Sequence, residues 1–133
     1  MSDGDRIKKR VFNENEIIFE EGGAGVLGYM VMSGEIGIYK NLRSEAPMRI
    51  AILYKGDIFG EMALFDDSPR LAAAQAHTQS ICLAVSKKEF AARLNKTDPI
   101  IKSIMNCMMQ RVRSISDEAA RLRKKAGSLG SME

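Results

Sequence analysis

The run FGEMALFDDSPRLAAA, from Phe59 to Ala74, reads as the end of a strand, a helical turn opened by Gly60-Glu61, and a Pro69-Arg70 entry into a second strand of small residues. Such a run offers three kinds of group to one small anion. Gly60 lets the backbone approach closely, the amides of Glu61, Met62 and Ala63 stand at a helix N-terminus, and Arg70 brings a forked cation. Glu61 is the odd member, because a carboxylate beside an anion repels it unless the same ligand also carries a proton donor. A sugar hydroxyl next to a phosphate is such a donor. The residues therefore point to a phosphate held against a ribose.

The first two-thirds of the chain is punctuated like a β protein. Ile17 to Phe19, Tyr29 to Ser33, Glu35 to Lys40, Ile50 to Leu53 and Ile81 to Val85 are short β-branched or aromatic runs. Turns rich in glycine or charge separate them, as at Glu21 to Gly25, Ser33-Gly34 and Asn41 to Pro47. This spacing suggests seven or eight short strands in a jelly roll or barrel over about residues 7–85, and the fold expected is α+β, mainly β, an eight-stranded jelly roll or barrel with C-terminal helices. Ser86-Lys87-Lys88-Glu89 is a capping-box pattern that predicts a short helix over about 86–95. Asp98-Pro99 opens a long helix over about 99–125, which Gly127 is expected to end, leaving a tail over 126–133. The whole of 1–133 reads as one domain.

The long helix carries a second pattern. Ile101, Met105, Met108, Val112, Ile115, Ala119 and Leu122 follow a 4-3 spacing, the a/d seam of a coiled coil. A parallel homodimer through this helix is expected; the alternative is that the stripe packs on the chain's own β region.

Residues 59–74 resemble the phosphate-binding cassette of cyclic nucleotide-binding domains, found in catabolite activator proteins, regulatory subunits of cyclic-AMP-dependent kinase and cyclic-nucleotide-gated channels. The likeness rests on Phe59 to Leu64 and on Pro69-Arg70 at the family distance. It extends through Glu21-Gly22 and Gly25, Tyr29 to Tyr39, and Lys55 to Gly60, and spans about Ile7 to Lys125. It implies that Arg70 binds the phosphate of a cyclic nucleotide and that Glu61 accepts from the ribose 2′-hydroxyl. Gly60, Met62, Ala63, Leu71 and Ala72 contribute backbone groups or close approach. Val112, Arg113 and Ser116 are the candidates for a cap over the base. One departure matters: the residue after the cassette arginine is Leu71, which has no hydroxyl to offer guanine. Cyclic AMP is accordingly expected over cyclic GMP.

Composition narrows the class. The 133 residues are 45% hydrophobic with a net charge of +3, and no apolar run reaches membrane-spanning length. The N-terminal residues lack the apolar core of a signal peptide, and two distant cysteines, Cys82 and Cys107, suit a reducing cytoplasm. Cys82 reads as a buried filler. His77, alternating with Gln75, reads as solvent-facing. A single histidine argues against a two-metal hydrolytic centre, and no Gly-x-x-x-x-Gly-Lys loop is present. No metal and no enzymatic activity are expected. Seven residues after Ala126 are too few for a helix-turn-helix, so sequence-specific DNA binding is not expected either. The implied function is a cytoplasmic cyclic nucleotide receptor that signals to a separate protein through its C-terminal helices. The alternatives are a dimeric scaffold of the same fold that has lost its ligand, or a module of a larger regulator or channel.

Overall fold

The computed structural model describes residues 7–130; the side chains at 116, 117, 119, 120 and 123–130 lie outside the described set. Eight strands form two four-stranded antiparallel sheets. In chain order they are β1 (Lys8–Phe12), β2 (Ile17–Phe19), β3 (Leu27–Ser33), β4 (Ile36–Lys40), β5 (Met48–Leu53), β6 (Ile58–Phe59), β7 (Ala73–Ala76) and β8 (Ser80–Ser86). One sheet runs β1-β8-β3-β6 and the other β2-β7-β4-β5. The expected barrel is thus a pair of open sheets. Each sheet ends in two unpaired edges instead of closing on itself, with β6, only two residues long, at one of them.

Alternation along the strands sets the inner faces. In β3, Tyr29 and Val31 are buried while Met30 and Met32 are exposed. In β8 the small residues Ser80, Cys82 and Ala84 are buried and the larger Ile81, Leu83 and Val85 are only partly covered. The small inner side chains of β7 and β8 leave volume that aromatic rings fill. Phe12, Tyr29 and Phe59 form the centre of the core with Val31, Ile36, Ala74, Ala76, Cys82 and Ala84. Tyr29 stacks on Phe59 at 5.1 Å between centroids, and Phe19 adjoins both rings at 6.1 Å.

β1 escapes the sequence reading. Lys8-Lys9-Arg10-Val11-Phe12 lacks an apolar alternation, and its strand character comes from antiparallel pairing with β8, Lys8 to Ala84 through Phe12 to Ser80. His77 also departs from expectation. Its Nε2 lies 2.7 Å from the Tyr39 hydroxyl and its Nδ1 2.8 Å from Glu35 Oε2, so the ring is bonded at both nitrogens and largely covered. Gly37 makes this possible, since a Cβ there would sit 2.6 Å from the imidazole Cε1.

The helices begin where their caps place them. Ser86 Oγ accepts from the Glu89 amide at 3.0 Å ahead of α1 (Lys87–Asn95), and Asp98 Oδ1 accepts from the Ile100 amide at 2.8 Å ahead of α2 (Pro99–Gly130). α2 passes through Gly127 rather than stopping there, because a glycine weakens a helix by about 1 kcal/mol without obliging it to end. The end of the expected tail, 131–133, falls outside the described residues. The chain divides into two compact units, one up to Arg93 and one from Leu94. No helix among the described residues is long and apolar enough to cross a membrane.

Candidate functional site

The site is assembled where β6 runs out. Phe59 pairs with Tyr29, which anchors the strand end, and Gly60 then turns the chain with φ 68° and ψ 17°. That left-handed conformation is nearly free for glycine and strained for other residues. A single 3-10 turn follows, Glu61–Leu64, with Gly60 at its N-cap position and no side chain capping it. Its amides are not equivalent. The Ala63 amide closes back onto the Gly60 carbonyl at 3.3 Å, so it is already engaged, while those of Glu61 and Met62 precede the first bond of the turn. Ala63 is instead a packing residue, buried in the fold.

Arg70 is held by three segments distant in sequence. Its backbone is clamped by the β2–β3 loop, the Gly22 amide donating to the Arg70 carbonyl at 2.7 Å and the Arg70 amide to the Gly23 carbonyl at 2.9 Å. The residue is 8% exposed. Nη1 donates to the Gly60 carbonyl at 3.0 Å and Nη2 to the Leu27 carbonyl at 2.8 Å. The Phe19 ring lies against the guanidinium, with Cζ 4.1 Å from its centroid. Nε is buried and has no hydrogen-bond partner among the described residues.

The electrostatics are unusual for an interior. Among the described residues no carboxylate forms an ion pair with Arg70, although a buried cation is normally paired. Burial lowers the pKa of the guanidinium, and the neighbouring Tyr29 and Glu61 act in the opposite direction. Glu61 is near enough to be felt electrostatically yet forms no hydrogen bond or ion pair with a described residue, and it is half-buried. A cation and a carboxylate therefore lie within electrostatic reach of each other, each with bonding capacity unused among the described residues.

Leu71 and Ala72 follow as bends leading into β7; Leu71 is 50% exposed and its carbonyl accepts from Lys40 Nζ. Gly60, Glu61, Met62, Ala63, Arg70, Leu71 and Ala72 all lie in the first compact unit. Val112 and Arg113 lie on α2 in the second, Val112 exposed and Arg113 partly covered, and the side chain of Ser116 is outside the described residues. The sequence reading did not single out Phe19 or Leu27 as neighbours of Arg70, and the lone aromatic in Ile17-Ile18-Phe19 carried no signal of that contact. Among the described residues no group of three His, Cys, Asp or Glu side chains is placed to hold a metal ion.

The sequence profile of the cyclic nucleotide-binding domain matches residues 9–97. The chain belongs to the cyclic nucleotide-binding domain family. This domain is 26% identical over 106 residues to a cyclic AMP receptor protein of Thermus thermophilus, covering 80% of this chain and 49% of that protein. It is 30% identical over 98 residues to a cAMP-dependent protein kinase regulatory subunit of Mucor circinelloides, covering 74% of this chain and 23% of the subunit. Its fold is similar to that of an EAL enzyme solved in a half-site-occupied form, with a TM-score of 0.75 at 29% identity, covering 84% of this chain and 99% of the other. The domain thus spans about half the length of the receptor and about a quarter of the kinase subunit.

Proposed function

We propose that this domain binds a cyclic nucleotide at the segment from Gly60 to Ala72, with cyclic AMP preferred, and passes the signal to a separate protein through its C-terminal helices. The observation that carries the reading is Arg70: a buried guanidinium with, among the described residues, no hydrogen-bond partner for Nε and no carboxylate paired to it. Leaving such a charge unpaired costs several kcal/mol, and a ligand phosphate would supply the missing anion. In this reading the phosphate meets Arg70 and the amides of Glu61 and Met62, and Gly60 allows close approach. The Glu61 carboxylate accepts from the ribose 2′-hydroxyl. Ala63, Leu71 and Ala72 shape the surrounding backbone, and Val112, Arg113 and Ser116 are the candidates for covering the base.

The preference for cyclic AMP rests on Leu71, which has no hydroxyl to give a guanine, and on the names of the two sequence relatives. We further propose a homodimer through α2. Ile101, Met108, Val112, Ile115 and Leu122 are exposed in the single chain, Met105 is partly covered, and the Ala119 side chain lies outside the described residues. That exposed apolar stripe also favours a second reading, an interaction scaffold whose working surface is α2 and which needs no ligand. The partial coverage of the relatives supports a place for residues 1–133 as a single module of a larger regulator.

Calorimetric titration with cyclic AMP and then cyclic GMP decides between these, after any bound nucleotide is stripped by unfolding and refolding. Saturable binding of one ligand per chain, tighter for cyclic AMP, is expected. No heat and no thermal stabilisation with either nucleotide would overturn the receptor reading in favour of the scaffold.

A further inference from the structure

The guanidinium of Arg70 occupies a slot with four defined sides. The Phe19 ring closes one side, with Cζ 4.1 Å from the centroid. The Leu27 and Gly60 carbonyls each take one terminal nitrogen, at 2.8 and 3.0 Å. Gly25 stands so close that a Cβ on it would lie 2.5 Å from Nε and 2.7 Å from Cζ, and a Cβ on Gly60 would lie 2.8 Å from Nη1 and 3.1 Å from Phe19 Cε2. Two glycines therefore make room for the guanidinium, and one aromatic ring supports it. Phe19 is itself fixed by its neighbours, stacking on Tyr29 and tilted against Phe59, both at 6.1 Å.

From this geometry we infer that Phe19 is the positioning residue of the anion site, its ring holding the Arg70 guanidinium in the orientation in which Nε is left without a hydrogen bond among the described residues. The inference rests on the receptor reading proposed above. Its physical basis is twofold. A cation over an aromatic face is attracted by the ring quadrupole, more strongly where water is excluded. A long arginine side chain also has considerable rotamer freedom, and whatever freedom it keeps in the unliganded protein is lost on binding. The two carbonyls hold the terminal nitrogens, and a ring 4.1 Å from Cζ restricts the motion that remains to the group. Phe19 would touch Arg70 and not the ligand, so its effect runs entirely through the arginine.

The test replaces Phe19 with mono- and trifluorinated phenylalanine by site-specific incorporation, which drains the ring face of negative charge with little change in shape, and compares Phe19→Leu. Binding of cyclic AMP and thermal stability without nucleotide are measured on the full chain. The expected result is a stepwise fall in affinity with fluorination, reaching about three- to tenfold for the trifluorinated ring and for Phe19→Leu, as befits one cation–π contact. Stability without nucleotide should hold across the fluorinated series. In parallel, the Arg70 Nε–H resonance should lose its ring-current shift in Phe19→Leu. Affinity that is flat across the fluorinated series, or that falls only as stability falls, would make Phe19 an ordinary core residue and overturn the inference. A wild-type protein that binds no cyclic nucleotide overturns instead the receptor reading beneath it, so the two failures are distinguishable.

Discussion

Arg70 and Leu27 stand 43 residues apart in the chain, yet Nη2 of one donates to the carbonyl of the other at 2.8 Å. The contact depends on register. Tyr29 pairs with Phe59 across β3 and β6, which brings the start of β3 alongside Gly60. A guanidinium reaching out from residue 70 then finds two carbonyls at once, those of Leu27 and Gly60. The slot around Arg70 is therefore a by-product of correct sheet pairing, and its proposed role as a ligand site has measurable consequences.

Arg70→Leu removes the only buried cation among the described residues. Loss of a charge-assisted contact of about 2–3 kcal/mol should weaken cyclic AMP binding about thirty- to a hundredfold, read by calorimetry. Thermal stability without nucleotide should change far less, because the desolvation cost of the buried charge disappears along with its two hydrogen bonds. Unaltered affinity in this variant would sink the site assignment.

Glu61→Gln keeps the shape of the side chain and removes its charge. Its effect on cyclic AMP should be smaller than that of Arg70→Leu. The diagnostic readout is the ratio of affinities for cyclic AMP and its 2′-deoxy analogue, which should move toward one, since the amide is a poorer acceptor for a hydroxyl than a carboxylate.

Gly25→Ala and Gly56→Ala separate a steric role from a backbone one. At Gly25 the new methyl would overlap the guanidinium, which must move, so nucleotide affinity should drop about tenfold or more with loss of a charge-assisted bond. Gly56 has φ 94° and open space where a Cβ would go. Its replacement should cost about 1 kcal/mol of stability through backbone strain and leave affinity unaltered. Equal affinities for the two variants would contradict the slot around Arg70.

The two thiols should differ sharply toward alkylation. Cys82 is fully buried in β8 and burial pushes its thiol up to about 11, whereas Cys107 is exposed on α2. A thiol reagent at pH 8 should label one site per native chain, at Cys107, and two after unfolding, as counted by mass spectrometry. Because the folded pKa of Cys82 is raised, its neutral form is favoured; its contribution to stability is complete below the unfolded thiol pKa and is lost as pH rises from there toward about 11.

The proposed dimer is testable at the centre of the stripe. Val112→Asp would place a carboxylate at a seam position where a partner helix would bury it, and sedimentation should then report the mass of a single chain. The β unit, which ends at Arg93, should keep its thermal transition. A wild-type protein that sediments as a monomer at the same concentration would remove the premise.

What the sequence determined by itself is whatever local chemistry controls. The strand end at Phe59, the turn at Gly60, the caps at Ser86 and Asp98 and the alternation of Tyr29 to Ser33 are written in neighbouring residues, because capping, positive φ and strand pleat act over a few positions. The conclusion of a mainly β fold with two C-terminal helices followed from those alone. The remainder was set by contacts between segments far apart in the chain. Lys8 to Phe12 became a strand by pairing with β8, against a composition that gives no such cue. His77 is covered because Tyr39 and Glu35 lie on neighbouring segments and Gly37 leaves space for its ring. The strands settled into two open sheets rather than a barrel, since closure depends on which edges meet and not on any one strand. The partners of Arg70, at positions 19, 25, 27 and 60, belong to the same class. A hydrogen bond or ring contact needs proximity of a few ångströms, and across 43 residues only the packed sheets supply it.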